Sequence, residues 1–432
     1  MKIFPIYSMF GTDFVFYYSI QLLFLYQVKN ISEANIVLAT SIYAFASILL
    51  QIPALIIVDK IGKKNSLVIG NTLNVICMAI ILFCPNFTVY LIEECLSSVA
   101  FALKSITEPT ILSNSIPECS RKGEIFSNIN SKGYSRFCYL SAFSAIVAGI
   151  LYDINPYIPI VTSLSCSVIA LLISRNFNEI KNEKVKEKSI DNYIYDLKKG
   201  FSFILHSKRL RALLLMVGFL WGLTSLFITY KTSLLNDLAV SATLIGIFDA
   251  IYQIFIGISS RYATTLNGKL KNKTLTVIAF GHTIGFILCG IVAILNIPFI
   301  LKLILISVLY LEIGSCKGLS QILKKQYMNN FAKEEVFTKI YTTESIISNL
   351  LKMIVGLIGS AILNSFNIKY SMIITGVIFS LISFVLYKYM KPRFGLKPNE
   401  YPKEDLEITQ DIKIDLQVLE KTNVLVLAIY FI

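Results

Sequence analysis

The chain has 432 residues, of which 55% are hydrophobic and only 16% charged, against about 25% charged residues in an ordinary soluble domain. With a mean hydropathy of +0.66, that balance excludes a string of soluble domains and points to a multi-pass membrane protein. The net charge of +13 calls for no nucleic acid, because no basic soluble module carries it and anionic lipid attracts cations gathered on one membrane face.

Apolar stretches of roughly 20 residues follow one another along the chain, and in lipid such stretches satisfy their backbone only as helices. The alternating segments of about ten residues that an outer-membrane barrel needs are not seen. Six spans are expected at Ile6–Val28, Ile36–Val58, Ser66–Cys84, Thr88–Leu112, Ser131–Tyr152 and Tyr157–Ser174. Six more are expected at Arg211–Leu235, Thr243–Ala263, Thr274–Leu295, Phe299–Leu323, Tyr341–Leu363 and Lys369–Tyr389. Only Lys2 precedes the first span and no small-residue cleavage site follows it, so it is expected to remain as a helix and not to leave as a signal peptide.

Basic residues orient these spans. Lys60, Lys63 and Lys64, then Arg121, Lys122 and Lys132, then Lys269, Lys271 and Lys273, then Lys324, Lys325 and Lys333 follow even-numbered spans. The odd connections hold little beyond Lys29, Lys231 and Lys369. The positive-inside rule therefore expects both termini in the cytoplasm. Cys119 falls in a loop and the other seven cysteines lie within spans without CxxC spacing, so all are read as small packing residues.

A hydrophilic stretch separates six spans from six, and the halves align. A shift of about 210 residues pairs Lys60 with Lys269, Lys64 with Lys273, Lys122 with Lys333, Glu124 with Glu335 and Phe126 with Phe337, the mark of an internal duplication. The expected organisation is an N-terminal six-helix bundle (1–175), a cytoplasmic central loop (176–210), a C-terminal six-helix bundle (211–390) and a cytoplasmic tail (391–432). The tail ends in NVLVLAIYFI, too short to span.

Between the second and third spans stands VDKIGKKNSLVIG. Twelve spans as six plus six, both ends inside, a long central loop and this DKIGKK resemble the major facilitator superfamily over residues 1 to 390. The family signature here is Gly, any, Leu, small, Asp, Arg/Lys, any, Gly, Arg/Lys, Arg/Lys. Asp59, Lys60, Gly62, Lys63 and Lys64 match it, while Leu55 replaces the first glycine and Val58 the small residue. The resemblance implies an all-α fold of two pseudo-symmetric six-helix bundles and a cytoplasmic latch made by this cluster, with a partner around Tyr341 to Glu344. Topogenic charge alone explains the lysines but not Asp59.

Charged groups within a span are costly and normally face partners or a watery cavity. Helices one, four, seven and ten line the cavity in the family resembled, which makes Asp13, Gln21, Lys104, Glu108, Tyr230 and Glu312 the cavity or coupling candidates, with Lys317 or Lys352 as counter-charge. Asp13, Tyr17 and Gln21 share one face if the first span is a continuous helix. Bland readings stand beside these. Lys104 and Glu108 suit a self-satisfied i, i+4 pair, Asp13 and Glu344 suit snorkelling to the interface, and the aromatic residues of spans one and seven suit packing. Glu93 stands where the family has an arginine, and SAIVAGI replaces the antiporter motif of span five.

His206 and His282 are the only histidines and neither has a partner at metal spacing. No phosphate loop and no catalytic constellation are seen. The expected function is secondary active transport of a small organic solute across the plasma membrane by a monomer that needs no cofactor. Proton-coupled efflux of a lipophilic or cationic compound is the leading version and proton-coupled uptake of a metabolite the alternative. An enzyme or scaffold sharing the helix count would show clustered carboxylates, His or Cys at one face.

Overall fold

The computed structural model describes residues 3–117, 122–178, 208–270, 273–331 and 334–391. The rest of the central loop and of the tail lie outside the described residues. So do Cys119, Arg121, Lys271, Lys333 and His206, and the side chains of Lys122, Lys325 and Tyr341. Among the described residues there is no strand, and ten helices are long and apolar enough to cross a membrane.

The first half begins with α1 (Phe4–Gly11), opened by Pro5 in its first turn, where the missing N–H costs nothing. After a break, a short turn at Gln21–Leu23 runs into a π-helical turn at Phe24–Val28. Then follow α2 (Glu33–Ile61), α3 (Lys63–Phe83), α4 (Phe87–Asn114), α5 (Lys122–Ile154) and α6 (Tyr157–Arg175). Ser32 caps α2 by accepting from Asn35 N, and Asn86 caps α4 by accepting from Val89 N. The second half holds α7 (Lys208–Asp237), α8 (Ala242–Arg261), a short helix at Ala263–Leu270, α9 (Thr274–Ile294), α10 (Phe299–Phe331), α11 (Glu334–Ser365) and α12 (Ile368–Met390).

The expected continuous helix from Ile6 to Val28 is not what forms. Residues 12–20 leave the helix, and Phe16 takes a left-handed φ of 68°. The reason is competition for backbone groups. In an unbroken helix Gly11 O would accept from Val15 N–H. Here the Lys104 ammonium takes Gly11 O, and Val15 N turns to Asp13 O at 3.0 Å. Thr12 Oγ1 donates to Ser8 O at 2.6 Å and Asp13 Oδ1 accepts from Phe14 N at 3.1 Å, completing an alternative to helical bonding. Irregular backbone at membrane depth is tolerated only where protein buries it or a cavity wets it.

Two compact units emerge, one drawn from 1–187 with 235–253 and the other from 188–234 with 254–432. In the first unit α4 packs along α2 and α3, α3 along α6, and α1 along α5. One core cluster joins Phe4 and Tyr7 of α1 to Leu67, Ile111 and Phe177. The N-terminal part of α8, to residue 253, also belongs to this unit. Gly149 of α5 approaches so closely that an added Cβ would lie 2.4 Å from Ala242 O, and one on Gly246 would lie 2.2 Å from Ala145 O. Asp153, at the end of α5, caps α8 by accepting from Ala242 N (3.3 Å), Thr243 N (3.0 Å) and Thr243 Oγ1 (2.5 Å).

In the second unit α9 lies against both α10 and α12. Gly290 and Gly376 allow that approach: a Cβ on Gly290 would sit 2.6 Å from Lys369 O, and one on Gly376 2.9 Å from Thr283 O. The apolar window of α7 is 72% buried against 28% for that of α10, so α7 is enclosed by protein while α10 presents much of its surface outward. The seven described cysteines are free thiols, five of them buried.

Candidate functional site

The break in the first span opens a cleft within the first unit. It encloses about 290 Å³ of empty space, part of it open to solvent, bounded by Thr12, Asp13, Phe14 and Tyr18 of the break, Tyr43 of α2, Asn74 of α3, and Ser97, Phe101 and Lys104 of α4. Asp13 is exposed at this cleft, whereas Lys104 is 5% exposed. The lysine stem reaches its place because α3 has no side chain at Gly70, where a Cβ would lie 2.9 Å from Lys104 Cγ.

Two hydrogen-bonded chains run from the broken span into α3 and α4. Tyr7 Oη donates to Glu108 Oε1 at 2.8 Å and accepts from Asn71 Nδ2 at 3.1 Å. Gln21 Nε2 donates to Tyr90 Oη at 3.2 Å, and Tyr90 Oη donates to Glu94 Oε1 at 2.6 Å. Lys104 and Glu108 therefore each hold a partner on α1, Gly11 O and Tyr7 Oη, in place of a direct pair with each other. Glu93 and Glu94 are 3% and 8% exposed, deeper than a place near an outer helix end suggests. Gln21 is separated by the break from the helix face that it was expected to share with Asp13 and Tyr17.

The candidates of the second half fall in different surroundings within the second unit. Glu312 lies over a notch of α9: a Cβ on Gly281 would meet Glu312 Oε1 at 2.7 Å, and one on Gly285 would meet Oε2 at 2.9 Å. Cys316 Sγ donates to Glu312 Oε1 at 3.3 Å. Tyr230 is fully buried, donates to Gly359 O at 2.8 Å and accepts from Thr375 Oγ1 at 3.3 Å, which ties α7 to α11 and α12. Glu344 is 4% exposed, paired with Lys324 and bonded by Ser348 Oγ at 2.5 Å. It is thus held inside the unit instead of snorkelling. Lys324 also lies 6.0 Å over the Trp221 ring. Lys317 on α10 and Lys352 on α11 are half-buried. His282 is 1% exposed, tilted 29° from Phe286 in a stacked pair, with Nε2 buried and without a hydrogen-bond partner.

At the DKIGKK motif, α2 ends and α3 begins on one residue. Gly62 stands at φ 91°, ψ 160°, a region open to glycine and costly for other residues. Asp59 and Lys60 are exposed on the last turn of α2, and Lys63 and Lys64 are half-buried on the first turn of α3. Two cations at a helix N-terminus oppose its dipole, so helix stability does not account for their place.

Sequence reasoning did not single out Tyr43, Asn74, Ser97 and Phe101 as wall residues, nor Tyr7, Asn71 and Tyr90 as network residues. The asparagines of GNTLN in the third span carried a readable signal, since an amide inside a span needs partners. The tyrosines carried none, because aromatic residues are common in spans for reasons of packing.

Apolar helices of membrane-crossing length and a polar cleft within the first unit suit a membrane transporter. A family profile described as Major Facilitator Superfamily matches residues 3–336, and the chain belongs to that family, as a transporter and not as an enzyme. No curated protein sequence matches the chain. Among solved structures, the nucleoside transporter NupG is similar, with 14% identity, a TM-score of 0.69 and coverage of 90% of this chain and 98% of that one. A D-xylose-proton symporter is similar at 12% identity and TM-score 0.68, covering 90% and 96%. A bacterial homologue of the lysosomal transporter Spinster, in an inward-facing and occupied conformation, is similar at 14% identity and TM-score 0.60, covering 91% and 96%.

Proposed function

We propose that the chain is a proton-coupled secondary active transporter of a small polar solute, working as a monomer in the plasma membrane with both termini cytoplasmic. The observation that carries this reading is the cleft at the broken first span, where hydroxyl, amide, carboxylate and ammonium groups from four segments share one wall. Such convergent polar groups fix the orientation of a hydrogen-bonding ligand. The likeness to a nucleoside transporter and a D-xylose-proton symporter supports a polar cargo. Glu312, a carboxyl group set against glycines and a thiol, is the proposed proton carrier. The Asp59 to Lys64 cluster is the proposed cytoplasmic latch.

A second reading, export of an amphipathic cation, is favoured by one observation: Phe14, Tyr18, Tyr43 and Phe101 line the same cleft as Asp13, and aromatic faces attract cations. Purified protein in liposomes, given an inward or outward proton gradient and a panel of nucleosides, sugars, amino acids and cationic dyes, separates the two. The expected result is uphill accumulation of a polar solute that a protonophore collapses. Glu312→Gln is expected to abolish gradient-driven accumulation while sparing downhill exchange. Gradient-driven movement of the dyes alone supports export, and no gradient-driven flux of any solute overturns both readings.

A further inference from the structure

The face of α4 that walls the cleft continues beyond it. Ser97, Phe101 and Lys104 line the cleft, and Glu93 stands one turn before Ser97 on the same face. Glu93 is 3% exposed. It lies within electrostatic range of Cys77 on α3, Tyr43 on α2, Tyr17 and Tyr18 of the break, and Glu94 beside it, and none of these is a cation. Glu94 is already engaged, accepting from Tyr90 Oη at 2.6 Å. Tyr17 supplies a second, independent sign. It is 2% exposed, and its Oη is buried without a hydrogen-bond partner, within electrostatic range of both acids. The nearby amide of Gln21 gives its hydrogen bond to Tyr90 Oη instead. A buried carboxylate and a buried hydroxyl are both costly when nothing meets them.

Resting on the transporter reading, we propose that Glu93 and Tyr17 hold a sodium ion that is bound together with the solute. The two groups offer oxygen ligands, a carboxylate and a phenol, which suit hard cations. No set of three His, Cys, Asp or Glu side chains that could hold a metal gathers among the described residues; one carboxylate with neutral oxygens suits a singly charged ion instead. Glu93 and Tyr17 are in electrostatic range yet share no hydrogen bond, a spacing that an ion bridges and a proton does not. The link to the solute is the segment 14–18. Phe14 and Tyr18 line the cleft, with ring centroids 6.4 and 6.1 Å from that of Tyr17. An ion that fixes Tyr17 therefore steadies two walls of the cleft, and the solute must favour the ion by the same factor in return.

The test is equilibrium binding of radioactive sodium ion to the purified full chain in lipid nanodiscs, with choline chloride holding the ionic strength. Saturable binding that unlabelled sodium displaces and choline does not is the expected result. Glu93→Gln is expected to weaken it about tenfold to a hundredfold, the worth of a charged contact, and Tyr17→Phe about threefold to tenfold. Glu93→Asp, which keeps the charge, is expected to bind within about tenfold of wild type. Size exclusion shows which variants fold; should Glu93→Gln fail that check, Tyr17→Phe decides. Ser97→Cys, made without the native cysteines, reads the link to the cleft: sodium is expected to change its maleimide labelling rate, and to stop doing so once Glu93→Gln is added. The absence of saturable sodium binding overturns the proposal, as does binding that every folded variant leaves at wild-type strength. A sodium-bound protein whose Ser97→Cys labelling matches the choline control overturns it too. Proton-driven uphill flux in liposomes without sodium binding rejects the sodium site and leaves the transporter reading standing. Sodium binding by a protein that moves no solute in liposomes keeps the ion site and overturns the transporter reading.

Discussion

Replacing Gly246 with alanine should separate α5 from α8, and its effect is opposite in sign to the same replacement eleven residues along the same helix. A Cβ at position 246 would lie 2.2 Å from Ala145 O, whereas ordinary contact begins at 3.4 Å. The two backbones must therefore part by about 1.2 Å, and no flexible side chain is available to move instead. Overpacking of this kind costs about 1–3 kcal/mol. The parting also stretches the 3.0 and 3.3 Å bonds by which Asp153 caps α8, a cap worth about 1 kcal/mol. Alanine returns about 0.5–1 kcal/mol over glycine in a helix, so the net loss is about 2 kcal/mol. At Gly257 nothing lies within 4 Å of the added Cβ, and only the helical gain remains. The two variants should differ by about 3 kcal/mol, or about 6–12 °C in melting temperature for a unit of roughly 200 residues. Melting both in one detergent, followed by fluorescence-detected size exclusion, reads the difference. Melting temperatures within about 2 °C of each other would refute the close α5–α8 contact.

Three further outcomes follow from named contacts and are read by the same melting assay. Asp153→Ala removes three acceptor bonds at the start of α8 and should cost about 1–2 kcal/mol. Gly62→Ala forces an L side chain to φ 91°, ψ 160° between α2 and α3 and should cost about 1–3 kcal/mol. Tyr7→Phe leaves Glu108 without its donor and Asn71 Nδ2 without one of its acceptors, a loss of about 1–3 kcal/mol.

The helical architecture was legible because lipid leaves a chain few choices: long apolar stretches must close their own hydrogen bonds. The caps Ser32 and Asn86 were not singled out in the sequence, although both residue types favour that position. The first span was misread because its break depends on a residue about 90 positions away. Lys104 takes the Gly11 carbonyl, and no local window of FGTDFVFYYS contains that competition. For the same reason Asp13 and Gln21 were expected on one helical face, and they take separate roles, one at the cleft and one in the chain leading to Glu94. Lys104 and Glu108 were readable as buried charges by cost alone, but their separate partners were not, since i, i+4 spacing suggested a self-contained pair. Gly62 could be read as a turn residue, since it stands between the second and third expected spans.

The account rests on the cleft at the broken first span being reached from each side of the membrane in turn. Ser97 lines that cleft from α4, so Ser97→Cys, in a protein whose eight native cysteines are replaced, reports access to a membrane-impermeant maleimide. In oriented vesicles the account predicts labelling from both faces, with the ratio of the two rates shifting when a transported solute or a proton gradient is applied. Labelling confined to one face under every condition would contradict it.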